Sequence, residues 1–342
     1  MTSSPLRLRL DGAALIHNWK TLAVMSGAAA CGAAVKADGY GLGAREVVRR
    51  LAQAGCRDFF VAHWSEARAL ADLGVQLSVL HGVRAEDMAD RPEGVRPVLN
   101  TAEQVRRWRD ADGGPCDVMV DTGMNRLGVS VEDVAAGLLD GLQIETLMSH
   151  LACADEDSAM NARQQARFAG LHGRTAARRM SLANSAGIAL GADYRFDLTR
   201  PGLALYGGVA RRELAGAIRQ VVRLEAQVLQ RRLVKAGESV GYNATFTATA
   251  DTEVAILNIG YADGYLRCFS GKGRARFGEV ALAVLGRVSM DLLAICADGA
   301  PALREGDWVE LCYALPETAA VSGLSQYELL TGLGQRYARM WG

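Results

Sequence analysis

Short apolar runs and helix-period stretches alternate eight times between residues 31 and 208, and this alternation restricts the fold more than any other feature. The strand candidates are Cys31–Val35, Asp58–Ala62, Leu77–Leu80, Val95–Leu99, Cys116–Val120, Glu145–Ser149, Arg179–Ala183 and Leu198–Leu205. Helix signals lie between them. Val47, Val48, Leu51 and Ala54 share one face before Gly55; Thr101 and Gln104 have capping-box spacing; Ser130 heads a stretch with Val134 and Leu138 that Gly141 would close. Eight such units predict an α/β chain with an N-terminal (β/α)8 barrel of the TIM type rather than an open sheet. Barrel chemistry gathers at the C-terminal strand ends, which here carry Lys36, His63, His81, Asn100, Asp121, His150, Asn184 with Ser185, and Tyr206. Polar strand ends also serve solvation, so their position alone decides nothing.

After Gly208 the pattern changes. Val222, Leu224, Ala226 and Val228 alternate with polar residues, and short apolar runs follow, separated by glycine turns. One late helix is announced by the Ser325–Glu328 capping box. We therefore expect a barrel over residues 11–214 and a mostly β domain over 215–342, with the strand at 6–10 available to pair with the second domain.

A formal net charge of zero offers no basic field for nucleic acid or an anionic membrane, so the expected partner is a small molecule. Seven scattered cysteines without a Cys-x-x-Cys pair suggest buried thiols in a reducing compartment rather than disulfides or zinc. The five histidines show no ligand spacing, so no metal is expected. The arginine-bearing start, MTSSPLRLRLDG, lacks the apolar run of a secretory signal, and no stretch is long enough to span a bilayer. These features predict a cytoplasmic protein.

Only four lysines stand against 34 arginines, and Lys36 alone ends an apolar strand. Partial desolvation there lowers an amine's pKa and makes it a usable nucleophile. The following DGYGLG could bring backbone amides and the Tyr40 phenol to a phosphate, or simply be a turn. LANSAG (182–187) and RPGLALYGG (200–208) offer the same at the last two strand ends, a recurring phosphate position in barrels. His150 reads equally well as structural or functional. Asp121 and Arg126 could form a loop ion pair. Tyr242, after a glycine, suits a packed role better than an acid–base one unless cationic neighbours lower its pKa.

As an ordered set, AVKADGYGLG, TGMNRLG, RPGLALYG, GYADG and SMD resemble the alanine racemases, and the resemblance runs from LDGAALIHNW (10–19) to YELLTGLGQRYAR (327–339). It implies a homodimer that binds pyridoxal 5'-phosphate and interconverts L- and D-alanine, serving D-alanine biosynthesis or alanine catabolism. Lys36 would hold the cofactor covalently and act as the base on one face. Tyr242, supplied to the neighbouring subunit, would be the base on the other. Tyr40, Ser185 and the backbone of Gly202 and Leu203 would hold the phosphate, with Asn184 beside them. Arg200 would face the pyridine nitrogen and keep it largely unprotonated, restraining side reactions. His150 would link Arg200 towards Tyr242. Arg126 would contact the phenolic-oxygen side of the cofactor, Met290 the substrate carboxylate through its backbone amide, and Tyr261 would narrow the entrance.

Two positions depart from the family pattern. Met119 stands where many members carry a carbamylated lysine that orients the arginine matching Arg126. Gln335 stands where some carry a phosphate-binding tyrosine, which leaves substrate breadth open. Competing expectations are a racemase of serine or broader specificity and a pyridoxal-phosphate decarboxylase of the same architecture. Arg200 and Ser289–Met290 argue against the decarboxylase, which has a carboxylate at the ring nitrogen and a cysteine in the β domain. A non-catalytic cofactor-binding barrel or a class I aldolase would not need the second domain.

Overall fold

The computed structural model of the chain describes residues 4–342. The start read for a leader runs into residues 1–3, which lie outside the described residues. The chain forms two compact units: Leu15–Arg219, and the residues up to Ala14 together with Gln220–Gly342. Strand β1, Leu6–Leu10, belongs to the second unit although it comes first in the chain.

The Leu15–Arg219 unit is a barrel of parallel strands. Its members are β2 (Ala30–Cys31), β3 (Ala33–Ala34), β4 (Asp58–Val61), β5 (Gln76–Val79), β6 (Arg96–Leu99), β7 (Cys116–Met119), β8 (Ile144–Met148), β9 (Arg179–Ser181) and β10 (Leu198–Thr199). β3 to β9 form one sheet in chain order, and β10 pairs with β2. Backbone bonds close the ring on both sides of β10: Arg200 N donates to Ala183 O at 2.8 Å, and Gly32 N to Thr199 O at 2.9 Å. β2 and β3 are one barrel position interrupted at Gly32, where a Cβ would lie 2.8 Å from Asp58 O. Both faces of the strands are covered, so they read as continuous apolar runs such as Phe59–Phe60–Val61, all buried. Asp58, Arg96, Asp117 and Arg179 form an ion-pair cluster at the opposite, N-terminal strand ends.

The helix Ala44–Ala54 buries Val47, Val48 and Leu51 and stops at Gly55, whose φ of +115° suits glycine. Three local expectations are corrected. The helix begun by Ser130 spans only Val131–Ala135. Its stop is Gly137 rather than Gly141: Gly137 is left-handed, and Leu138 N reaches Asp133 O at 3.0 Å in a Schellman closure. Thr101 caps Gln104 N, but the Gln104 carboxamide accepts from Asn100 N instead of returning to Thr101, so the box is incomplete. The strand expected over Leu198–Leu205 ends at Thr199, because Pro201 and Gly202 break the ladder and Leu203–Tyr206 coils into a 3-10 turn.

The second unit is an antiparallel sheet with two helices. Its strands are β1, β11 (Val222–Val234), β12 (Ser239–Val240), β13 (Phe246–Thr247), β14 (Thr252–Leu257), β15 (Arg274–Phe277), β16 (Val280–Leu285), β17 (Leu293–Cys296), β18 (Trp308–Leu311) and β19 (Ala338–Trp341). The long β11 pairs with β18 through its first half and β14 through its second, which bends the sheet round on itself. Val234, Val240, Ala248, Val254, Leu285 and Ala294 fill one end. β1 lies between β11 and β19, antiparallel to the first and parallel to the second. The Ser325–Glu328 capping box forms as its spacing predicts. Among the described residues, no helix is long and apolar enough to cross a membrane.

Candidate active site

Lys36 lies just past β3, separated from it by Val35, and the chain after it takes an unusual course. Ala37, Asp38, Gly39 and Tyr40 all have φ between +53° and +63°, a full left-handed turn. Each non-glycine residue in it costs about 1–2 kcal/mol relative to the right-handed form. Such strain persists only where its surroundings fix it, and it concentrates at functional sites. Here Gly39 N bonds Val35 O and Gly41 N bonds Ala37 O, both at 2.8 Å. Asp38 Oδ1 accepts from Ala44 N at 2.8 Å, tying the far end of the turn to the next helix.

The Lys36 side chain opens to solvent at the barrel mouth, yet the walls around it exclude enough water to lower its amine pKa. The positive charge of Arg126 adds to this lowering, and the carboxylate of Glu66 opposes it. Glu66 is the third residue of the helix Trp64–Arg68 and accepts from Ala37 N at 2.8 Å and Ala62 N at 2.7 Å. Little in the sequence marks Glu66. Its one signal was an acidic residue at the third helical position after His63, a place from which a side chain reaches back past the helix start.

The ends of β3, β9 and β10 converge on a small polar cradle. Tyr40 is buried and stacks on Tyr206 with ring centroids 4.7 Å apart. The Tyr206 hydroxyl donates to Ala34 O at 2.8 Å. Ser185 Oγ accepts from Gly202 N at 3.0 Å and Ala204 N at 3.2 Å. A Cβ on Gly202 would fall 2.2 Å from the Tyr40 hydroxyl oxygen, so only hydrogen fits there. Asn184 caps the following helix by accepting from Gly187 N at 2.8 Å.

Arg200 lies buried behind this cradle. It donates to Ser181 Oγ and, at 2.6 Å, to Ser149 O; burial pulls its pKa down to about 10. His150, beside Ser149, is held neutral: burial and the Arg200 charge lower its pKa to about 3. The Asp121 carboxylate accepts from the backbone amides of Gly123 at 2.7 Å and Arg126 at 3.2 Å. The suggested Asp121–Arg126 ion pair is therefore a backbone contact, and the Arg126 side chain is exposed at the barrel mouth. Met119 is buried within β7.

In the other unit, Tyr242 follows Gly241 and is 66% exposed. Tyr261 N bonds Ser289 O, and Ala262 N bonds Met290 O, both at 3.0 Å, so the loops carrying Tyr261 and Met290 are joined. Arg336 locks them, donating to buried Asp263 at 2.7 and 2.8 Å and to Asp291 at 2.7 Å. Among the described residues, no three His, Cys, Asp or Glu side chains are grouped to hold a metal.

Residues 10–210 match the family model described as alanine racemase, N-terminal domain, and residues 221–341 match its C-terminal domain. The chain belongs to the alanine racemase family. An alanine racemase of Methylobacterium nodulans is 43% identical over 99% of this chain and 96% of its own length. One from Acidiphilium cryptum is 40% identical over 97% and 98% of the two chains. Among solved structures, the alanine racemase of Bartonella henselae, described with covalently bound pyridoxal phosphate, aligns over both whole chains with a TM-score of 0.91 and 34% identity. Members of the family are amino-acid racemases, a class of isomerase, and its barrel and β domain are those described above.

Proposed function

We propose that this chain is a pyridoxal-phosphate-dependent alanine racemase that interconverts L- and D-alanine with two bases, Lys36 and Tyr242. The observation that carries the proposal is the meeting, at one end of the barrel, of a lysine with a lowered pKa, the Tyr40–Ser185–Gly202 cradle and buried Arg200. The fit to the cofactor rests on the close approach of the Gly202 backbone to the Tyr40 hydroxyl and on the Gly202 and Ala204 amides gathered at Ser185 Oγ, which bring together the phenol, hydroxyl and backbone donors that suit a phosphate.

Lys36 would hold the cofactor through its amine. Tyr40, Ser185, and the backbone of Gly202 and Leu203 would hold the phosphate, next to Asn184. Arg200 would face the ring nitrogen as a donor, braced by Ser181 and Ser149. His150, neutral, would pass that contact onward; Arg126 would meet the ring's oxygen side. Bound there, the pyridoxal ring supplies an electron sink that makes the Cα–H of alanine removable by a side-chain base. Lys36 Nζ would move the proton on one face and the Tyr242 hydroxyl on the other. Met290 would hold the substrate carboxylate by its amide, and Tyr261 would narrow the approach.

The barrel, residues 11–214, would thus bind the cofactor, while the β domain, 215–342, would serve the barrel of a second copy in a homodimer. Free thiols at all seven cysteines suit a cytoplasmic setting. The test begins with the visible absorbance of lysine-bound cofactor, which Lys36→Ala should abolish. L-Alanine in deuterated water should then lose its Cα proton and its optical rotation together. Exchange with retained rotation would leave one working base and overturn the two-base reading.

A further inference from the structure

We propose that Glu66 is a positioning residue for Lys36: it holds the turn that aims the amine and counters the positive charge around it. This rests on the reading of Lys36 given above.

Up to Val35, β3 is held by its neighbour, with Val35 N bonded to Phe60 O at 2.8 Å. One residue beyond Lys36 the backbone turns left-handed, and the first N–H of a helical turn has no acceptor within the turn. The Glu66 carboxylate is that acceptor. One oxygen takes Ala37 N, and the other takes Ala62 N just beyond β4. A single side chain therefore spans two adjacent strand ends and fixes the point where Lys36 leaves the barrel wall.

The same carboxylate sets the local charge. Arg126 faces Lys36 from the loop after β7, and His150 stands at the end of β8. His63 and His81 stand at the ends of β4 and β5 with ring centroids 6.1 Å apart. His63 Nε2 is 3.9 Å from Glu66. Glu66 is the acid that acts on Lys36 within this largely basic ring of groups. A carboxylate close to the Lys36 nitrogen favours the protonated form of that nitrogen, free or cofactor-bound, so removing the charge should move its titration to lower pH.

Glu66→Gln tests both roles, because it keeps the shape and one acceptor oxygen but places an NH2 group against one of the two backbone amides. The holoenzyme is titrated with pH while its visible absorbance is followed, and kcat and KM for L-alanine are measured alongside. We expect the absorbance midpoint to move to lower pH. We also expect kcat to fall about tenfold to a hundredfold, since small misplacements of a reacting group cost that much, with KM little changed. Glu66→Asp, whose shorter carboxylate draws back from Ala37, should shift the midpoint in the same direction by less, and serves if the glutamine protein fails to fold. A brace with no part in Lys36 chemistry would lower the melting temperature and leave the midpoint in place. An unmoved midpoint in both variants, with the absorbance lost in Lys36→Ala, overturns this proposal alone. Absorbance retained in Lys36→Ala overturns the assignment of Lys36, and this inference with it.

Discussion

Gly202 and Tyr40 touch so closely that the smallest possible side chain at 202 would sit 2.2 Å from the phenolic oxygen. The Gly202 φ of −130° is open to any residue, so the demand for glycine there is one of space. Tyr40 cannot swing aside, because Tyr206 stacks against its ring and both are buried. Gly202→Ala should therefore leave the fold intact and spoil the cradle. Overpacking costs of about 1–3 kcal/mol correspond to a dissociation constant for pyridoxal phosphate raised about tenfold to a hundredfold. Absorbance titration of cofactor-free protein measures it.

Tyr242→Phe should be nearly silent for stability, since the ring is largely exposed and substitutions at such sites shift stability by no more than about 0.5 kcal/mol. Racemisation should nevertheless fall by about 10²–10⁴, the range for loss of a positioned acid or base. Lys36-dependent absorbance should persist. Exchange of the Cα proton into deuterated water should survive for one enantiomer and drop for the other, which proton NMR of each separate enantiomer resolves.

His150 should make acid stability asymmetric. Its folded pKa of about 3 lies below the ordinary 6.5, so the unfolded chain binds the extra proton first. The stabilisation from keeping it neutral is present above about pH 6.5 and is lost as pH falls from there through about 3. Urea midpoints of wild type and His150→Gln should run parallel near pH 8 and converge below pH 6. Parallel curves throughout would show that His150 carries no such linkage.

Arg336 should matter more than its half-exposed position suggests. Its removal takes away the guanidinium that pairs with the fully buried Asp263 carboxylate, which also accepts from the Gly260 amide at 3.0 Å. Breaking a buried pair costs about 3–5 kcal/mol, and the exposure of the guanidinium lowers the expectation to about 2–3 kcal/mol. Arg336→Leu should therefore lower the unfolding midpoint. It should also raise KM for alanine, because the clamp adds a second tie to the Tyr261 and Met290 loops that two backbone bonds already join.

The barrel was readable because both faces of its strands are buried, which leaves apolar runs that end in polar residues at one rim. Lys36 stood out for the same reason, as the one lysine at such an end. The left-handed turn after it was not readable: Ala37 and Tyr40 carry no local sign of positive φ, and the turn is held by the nearby Asp38–Ala44 bond together with the distant Glu66 carboxylate. The strand at Leu198–Leu205 was overdrawn since a buried 3-10 turn is as apolar as a buried strand. Arg336 went unnoticed because its partners, Asp263 and Asp291, lie far back in the chain. Hydrophobic period reports burial, whereas the polar ties that aim a catalytic group depend on which strand ends become neighbours.

The place of β1 between β11 and β19 bears on how the molecule comes into being. On the ribosome Leu6–Leu10 is made before either of its ladder partners, Val222–Ala226 and Ala338–Trp341. The Leu15–Arg219 barrel can close while this strand is still waiting, and the sheet is complete only when the last strand has emerged. The nascent chain thus carries this strand unpaired until Val222–Ala226 is made and with one open side until Ala338–Trp341 is made, an interval in which an exposed edge invites mispairing. Moving β1 to follow Gly342 would end the wait; because β1 runs parallel to β19, the join needs a crossover of about a dozen residues rather than a tight turn. Such a permutant should refold with a smaller slow phase and a higher soluble yield.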